Sequence, residues 1–318
     1  MIFVILVYLL TALILAADEP TYATHGPLPP SSKLRLAEED DPRFSMNVDM
    51  SDTSLPPTAV LMNAVELAAR YAEMEYLARV PQRHGIVLQE FPQVEIAIVP
   101  ARPARAVEVR LIMYTIYGAI LEMKFGRGFK ECEIEVLWEN QIKAYVYFTP
   151  PMNDPSSPTG RFKEKLSRLP RNSSVPESKT TNLTSSSVNT LFDWTPVYEP
   201  RGQNIPPFEV FLLALGTIKV VATYSTTTRV GEPLHIGSEL VNANFQVWPE
   251  MIRSAGQLRY GHVLEAARRI PGWQLARHRF AEFFCGIEAN RRPLGVVLVQ
   301  KGQYVPALGS QGGNVSVS

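Results

Sequence analysis

Cysteine is almost absent from this sequence: it occurs twice in 318 residues, and histidine only five times. So few thiols exclude a small disulfide-framed scaffold, and no pair of them has the spacing of a zinc site. No H-E-x-x-H occurs. The G-x-S-x-G turn of a serine nucleophile is missing too, its nearest approach being A-L-G-S-Q-G-G at 307–313, with leucine where the first glycine belongs. F-G-R-G-F-K-E (125–131) lacks the third glycine of a phosphate loop and precedes a strand pattern, so it reads as a turn. An excess of either charge is also lacking, since 31 Lys and Arg balance 31 Asp and Glu. A nucleic-acid partner normally requires a basic surplus or stripe, so none is expected. Nothing in the sequence calls for a metal or a cofactor.

What is present describes a folded chain. A hydrophobic fraction of 46% against 19% charged residues suits packed cores, and the length suffices for two domains. Residues 2–17 are almost wholly apolar until Asp18 and Glu19 stop the run. That stretch is short of the roughly 20 residues of a spanning helix and ends in small residues, so 1–17 is expected to be a signal peptide. A membrane enters only if this segment stays uncleaved. Three sequons, at Asn172, Asn182 and Asn314, are candidate glycosylation sites in a chain that enters the secretory pathway. The expected location is extracellular.

Two stretches follow one plan. L-P-P-T-A-V (55–60) aligns with I-P-P-F-E-V (205–210), and the match runs on to Arg79-Val80 and Arg229-Val230 at an offset of 150 without a gap. Proline at a first helical position loses no hydrogen bond, and the apolar spacing behind it follows one helix face. Two strand patterns come next in each half, then a second helix (106–125 and 260–280), the latter expected to kink or split at Pro271. Hairpins follow, around Glu139-Asn140 and around Asn290 to Pro293.

The fold class expected is therefore α+β: two sequence-related units, each a two-layer sandwich of order α-β-β-α-β-β, joined by a disordered linker. The boundaries are a leader at 18–54, the first unit at 55–150, a Ser/Thr/Pro-rich linker at 151–200, the second unit at 201–305 and a tail at 306–318. The linker holds a basic, exposed run, R-F-K-E-K-L-S-R-L-P-R (161–171), suited to nicking by trypsin-like proteases.

Both cysteines open the same kind of string, C-E-I-E at 132–135 and C-G-I-E at 285–288. Strand alternation points Cys132, Ile134 and Val136 one way, with Cys285, Ile287 and Ala289 as the matching apolar row. Cys132 and Cys285 are either bonded across a pseudo-two-fold axis or remain two separate core thiols. Glu131, Glu133 and Glu135 point the opposite way and are expected on a solvated sheet face. Trp138, Trp194, Trp248 and Trp273 could stack on sugars, although core packing accounts for most of them.

The P-P-x-x-V helix start in both halves, the F-Q-V-W strand and the closing V-L-V-Q-K-G make the chain similar to uncharacterised secreted proteins of filamentous fungi. That resemblance implies a fungal secretory setting and carries no activity. The function expected is a secreted, non-enzymatic binding or interaction protein offering a symmetric surface or a groove between its units; the partner is unspecified. The alternative is an extracellular hydrolase with a site in that groove, for which His235, His262 and Glu265 are the candidate acid–base residues.

Overall fold

The computed structural model describes residues 33–35, 41–102, 105–126, 128–151, 162, 192–238, 241–250 and 257–302. It is a mixed α and β structure with sheets and, among the described residues, four helices. In chain order the elements are β1 (Lys33–Arg35), β2 (Phe44–Ser54), α1 (Pro57–Ala72), β3 (Arg79–Val80), β4 (His84–Leu88), β5 (Phe91–Pro100), β6 (Val107–Glu108), α2 (Val109–Phe125), β7 (Lys130–Trp138) and β8 (Gln141–Thr149). There follow β9 (Asp193–Tyr198), α3 (Pro207–Val221), β10 (Leu234–Ser238), β11 (Val241–Pro249), α4 (Tyr260–Ala276), β12 (Phe283–Ala289) and β13 (Arg292–Lys301).

The first sheet has the order β2-β7-β8-β5-β4; the second has β9-β12-β13-β11-β10, with β1 added in parallel beyond β10. Strand for strand, the two orders are the same. Each helical start is a Pro-Pro step: Pro56 and Pro206 are extended, and Pro57 and Pro207 occupy the first helical turn. Each closing hairpin turns on two residues of positive φ, Glu139 (52°) and Asn140 (61°) in the first, Asn290 (53°) and Arg291 (62°) in the second. Such pairs form the two-residue turn whose twist matches the flanking strands.

Several expectations are corrected by these elements. Each half opens with a strand, so the order of helices and main-sheet strands is β-α-β-β-α-β-β, with the short β3 and β6 of the first half pairing only with each other. β2 occupies 44–54, inside the expected disordered leader, and β9 occupies 193–198, inside the expected linker. Both strands were hidden because they are polar on alternate positions and pair only with distant partners, β7 and β12. Trp194 belongs to β9 and sets its ring 6.5 Å from Phe283, which ties that strand to the core. α4 runs through Pro271 as one helix: the proline is buried, and only the hydrogen bond to Ala267 is forgone. Residues 1–32 and 36–40, residues 152–161 and 163–191 of the linker, and the tail from 303 lie outside the described residues. Among the described residues, no helix is long and apolar enough to cross a membrane.

One hydrophobic core serves both halves. α1 covers β4 and β5, α2 covers β2 and β7, and α3 covers β10 and β11. The helices also meet each other: α1 packs on α3, and the reciprocal contacts α1 with α4 and α3 with α2 are both made. A two-fold relation between the halves requires this pattern, with α1 and α3 at the axis. The groove expected between two tethered units is filled by these helices. There Glu66, 6% exposed, is gripped by Arg268 at 2.6 and 2.9 Å. On the reciprocal side Lys219 lies 4.7 and 5.2 Å from the rings of Tyr114 and Tyr117.

Candidate functional site

With the helices on the inner faces, the outer faces of the two sheets are the surfaces that distinguish the halves. The second sheet's outer face is built by alternation. Leu234, Ile236, Phe245, Val247, Cys285, Ile287, Val297 and Val299 point into the core, so His235, Asn244, Gln246, Trp248, Phe284, Gly286, Val296, Leu298 and Gln300 point away from it. Trp248, Val296, Gly286 and Thr195 form one cross-strand row. Trp248 is 44% exposed, an unusual state for a large aromatic ring in a sheet. A Cβ built on Gly286 would meet nothing within 4 Å, so the space beside Trp248 in this row is open.

The ring is held by an amide network. Trp248 Nε1 donates to Gln246 Oε1 at 3.3 Å. Gln246 Nε2 in turn donates to Asn244 Oδ1 at 2.8 Å and to Gln300 Oε1 at 3.1 Å. His235 stands edge-on to the indole with centroids 5.4 Å apart, and burial lowers its pKa, favouring the neutral ring. The result is a flat aromatic surface beside uncharged amides.

The first sheet's outer face differs. The expectation of a solvated glutamate row is corrected: Glu131 is 0% and Glu133 7% exposed, and Glu135 is half-buried. Glu131 accepts hydrogen bonds from Ser51 Oγ at 2.9 Å and from the Phe162 N–H at 3.2 Å. Phe162, from the stretch expected to be wholly disordered, is 1% exposed and packs on Ala97 and Tyr147. Alternation identified the face that these glutamates share but gave no sign that a distant aromatic covers it.

The acid–base candidates do not converge. His262 is buried at the start of α4, where its Nδ1 accepts the Arg259 N–H at 3.0 Å and its ring meets Phe192 edge-on at 5.6 Å. Burial pushes its pKa down to about 4. Its geometry is that of a helix cap, with histidine taking the place of the Glu or Gln of a capping box. Glu265 is bonded to Arg268 at 3.0 Å and to Arg269 at 2.7 Å. His235 projects from the far side of the sheet from the helices. No groove unites the three.

Cys132 and Cys285 are free thiols, both 0% exposed, each facing the core from its own sheet. Burial raises both pKa values, that of Cys285 to about 12, so neither is poised as a nucleophile. Asn172, Asn182 and Asn314 lie outside the described residues. Among the described residues, no group of three or more His, Cys, Asp or Glu side chains is placed to hold a metal ion. An open hollow of about 470 Å³ beside Pro206 and Pro207 is also lined by His278, Arg279 and Lys301. Arg279 there is spent on the Tyr198 ring, 4.2 Å away.

No family model matches the chain, and no curated protein matches it. Among solved structures, the tandem DUF26 ectodomain of the Arabidopsis thaliana cysteine-rich receptor-like protein PDLP8 is similar over 80% of this chain and 96% of that one, at 6% identity and a TM-score of 0.22. So low a score carries no argument about either fold or role.

Proposed function

We propose that the chain is a secreted, non-enzymatic binding protein built from a duplicated α+β unit, and that the outer face of its second sheet recognises a neutral carbohydrate. The observation that carries this reading is Trp248: the residue is 44% exposed, its N–H is fixed by Gln246, and the open space above Gly286 lies in the same row. A sugar presents an apolar C–H face to an aromatic ring and hydroxyls to amides. Gln246 and Gln300 present amides without charge, held in place by the buried Asn244. Glycine within a strand commonly marks a place where another molecule approaches the backbone closely. The apolar N-terminal run and the sequons at Asn172, Asn182 and Asn314 support the secretory setting.

Calorimetric titration with a panel of neutral oligosaccharides tests the reading. At least one is expected to bind, and Trp248→Ala is expected to weaken it by about tenfold or more, as loss of a stacking aromatic in a binding surface does. Unchanged affinity in Trp248→Ala would remove the second sheet from consideration.

A further inference from the structure

Trp248 stands at one end of a row that crosses four strands of the second sheet. From β11 to β9 its members are Trp248, Val296, Gly286 and Thr195, each paired with the next. Neighbouring strands lie about 4.8 Å apart, so the row is about 14 Å long. Val296 and Gly286 are half-buried, Thr195 is exposed, and no member of the row carries a charge. A ligand that rests on the indole and continues over Gly286, where no side chain stands, runs across the strands towards Thr195.

One side of that row is bordered by negative charge. Glu288 lies two residues beyond Gly286 on β12, and Asp193 lies two residues from Thr195 on β9. Alternation puts both on the outer face, about 7 Å from the row and inside the screening length at physiological salt. They are direct cross-strand partners, and neither is in an ion pair among the described residues. Facing like charges weaken a strand pair. The first sheet avoids this at the equivalent position, where Asn47 faces Glu135 and donates its Nδ2–H to the carboxylate at 3.0 Å. The second half has exchanged that amide for a second carboxylate and gone without the hydrogen bond. What the acid pair supplies instead is a negative field along the edge of the open row.

We propose that this row takes a linear neutral oligosaccharide laid across the strands, and that Asp193 and Glu288 are specificity residues that turn away sugars bearing carboxylate or sulfate. This rests on the reading of the second sheet's outer face as a carbohydrate surface. An acidic sugar over Gly286 or Thr195 brings its charge beside two carboxylates, with no Lys or Arg in the row to offset it, and such like-charge placement discriminates strongly. The hydroxyls of a neutral sugar meet no repulsion there and are suited to donate to the same carboxylates. Discrimination is greatest for a chain that reaches from Trp248 to Thr195, and weakest for a monosaccharide held at the indole alone.

Calorimetric titration of the full chain with cello-, laminari-, manno- and chito-oligosaccharides, from mono- to hexasaccharide, tests the proposal. Affinity is expected to rise with chain length until the row is spanned. Each sugar that binds is then compared with the same sugar after oxidation of its hydroxymethyl groups to carboxylates, which is expected to bind about tenfold more weakly or worse. The double variant Asp193→Asn with Glu288→Gln is expected to close most of that gap while leaving the neutral sugar's affinity unchanged. Removing facing like charges does not weaken the strand pair, so this variant folds. Salt at about 0.5 M is expected to narrow the gap in the native chain. If neutral sugars bind in a Trp248-dependent way but their acidic forms bind equally well, or the gap persists in the double variant, the specificity role is overturned while the carbohydrate surface stands. If no neutral oligosaccharide binds, or binding ignores Trp248→Ala, the carbohydrate surface itself falls and this role with it.

Discussion

The two sheets share a strand order but not an outer surface, and a single position shows why. In C-E-I-E and C-G-I-E the common residues, Cys and Ile, face the core in both halves, each with 0% exposure. The residue that differs faces outward. In the first sheet it is Glu133, in the row Ala97, Tyr147, Glu133, Asp49. In the second it is Gly286, in the row Trp248, Val296, Gly286, Thr195. One row is acidic and lies under Phe162; the other is neutral and open. A duplicated fold keeps its inward-facing residues because the packed core tolerates little change in volume, whereas the outward row is free to take on different chemistry.

The comparison extends to the helices. The reciprocal contacts across the two-fold relation carry a buried ion pair, Glu66 with Arg268, on one side and a lysine over two tyrosine rings on the other. Breaking them gives the largest expected difference. Arg268→Ala leaves the Glu66 carboxylate buried without its main partner and is expected to cost roughly 3 kcal/mol. Lys219→Ala is expected to cost about 1 kcal/mol or less. Urea unfolding of both variants measures the contrast, and equal losses would contradict it.

A second difference depends on pH. The third residue of α2 is Leu111, and the third of α4 is His262. Burial holds the His262 pKa at about 4 when folded, below its ordinary 6.5. The unfolded chain therefore takes up the proton first as pH falls. Stability from this group is unaffected above about pH 6.5 and falls between there and pH 4, by roughly 2 kcal/mol in all. His262→Gln keeps an acceptor for the Arg259 N–H and is expected to remove that part of the slope, whereas Leu111→Gln is not. Thermal unfolding at a series of pH values distinguishes them.

The third test moves one residue between the faces. Gly286→Glu gives the second sheet the first sheet's side chain in open space, where it stays hydrated. Stability is expected to change by less than about 0.5 kcal/mol, as for other surface substitutions, while carbohydrate binding is lost. Retained binding would show that the open space above Gly286 is not used. The smallest effect concerns what the halves have in common. Glu139 and Arg291 hold positive φ in equivalent turns. Glu139→Gly and Arg291→Gly are each expected to stabilise by about 0.5–1 kcal/mol, through relief of the left-handed conformation.

Much of the fold was legible because local rules govern it. The Pro-Pro starts, the hairpin turns and the inward cysteines all follow from residues near one another in sequence. β2 and β9 were not legible, since each is stabilised by a partner strand far along the chain. The functional surfaces were less legible still. Trp248 is readable from sequence as a ring on a strand, but its exposure depends on which face the helices take. Glu131 is bonded to the backbone of Phe162, which lies in the expected linker, 31 residues along the chain. His262 and Glu265 sat at a spacing suited to acid–base chemistry, yet the helix start uses one as a cap and two arginines take the other.

The most direct measurement of the difference between the sheets uses the four tryptophans as reporters. In ¹⁵N-labelled protein each indole N–H gives its own signal: Trp248 on the open face, Trp138 at the end of β7, and Trp194 and Trp273 packed near Phe283. On titration with neutral oligosaccharides, the Trp248 signal is expected to shift in a saturable way while that of Trp138 stays fixed. A shift at Trp138 instead, or no shift at Trp248 with any of them, would contradict the assignment of binding to the second sheet.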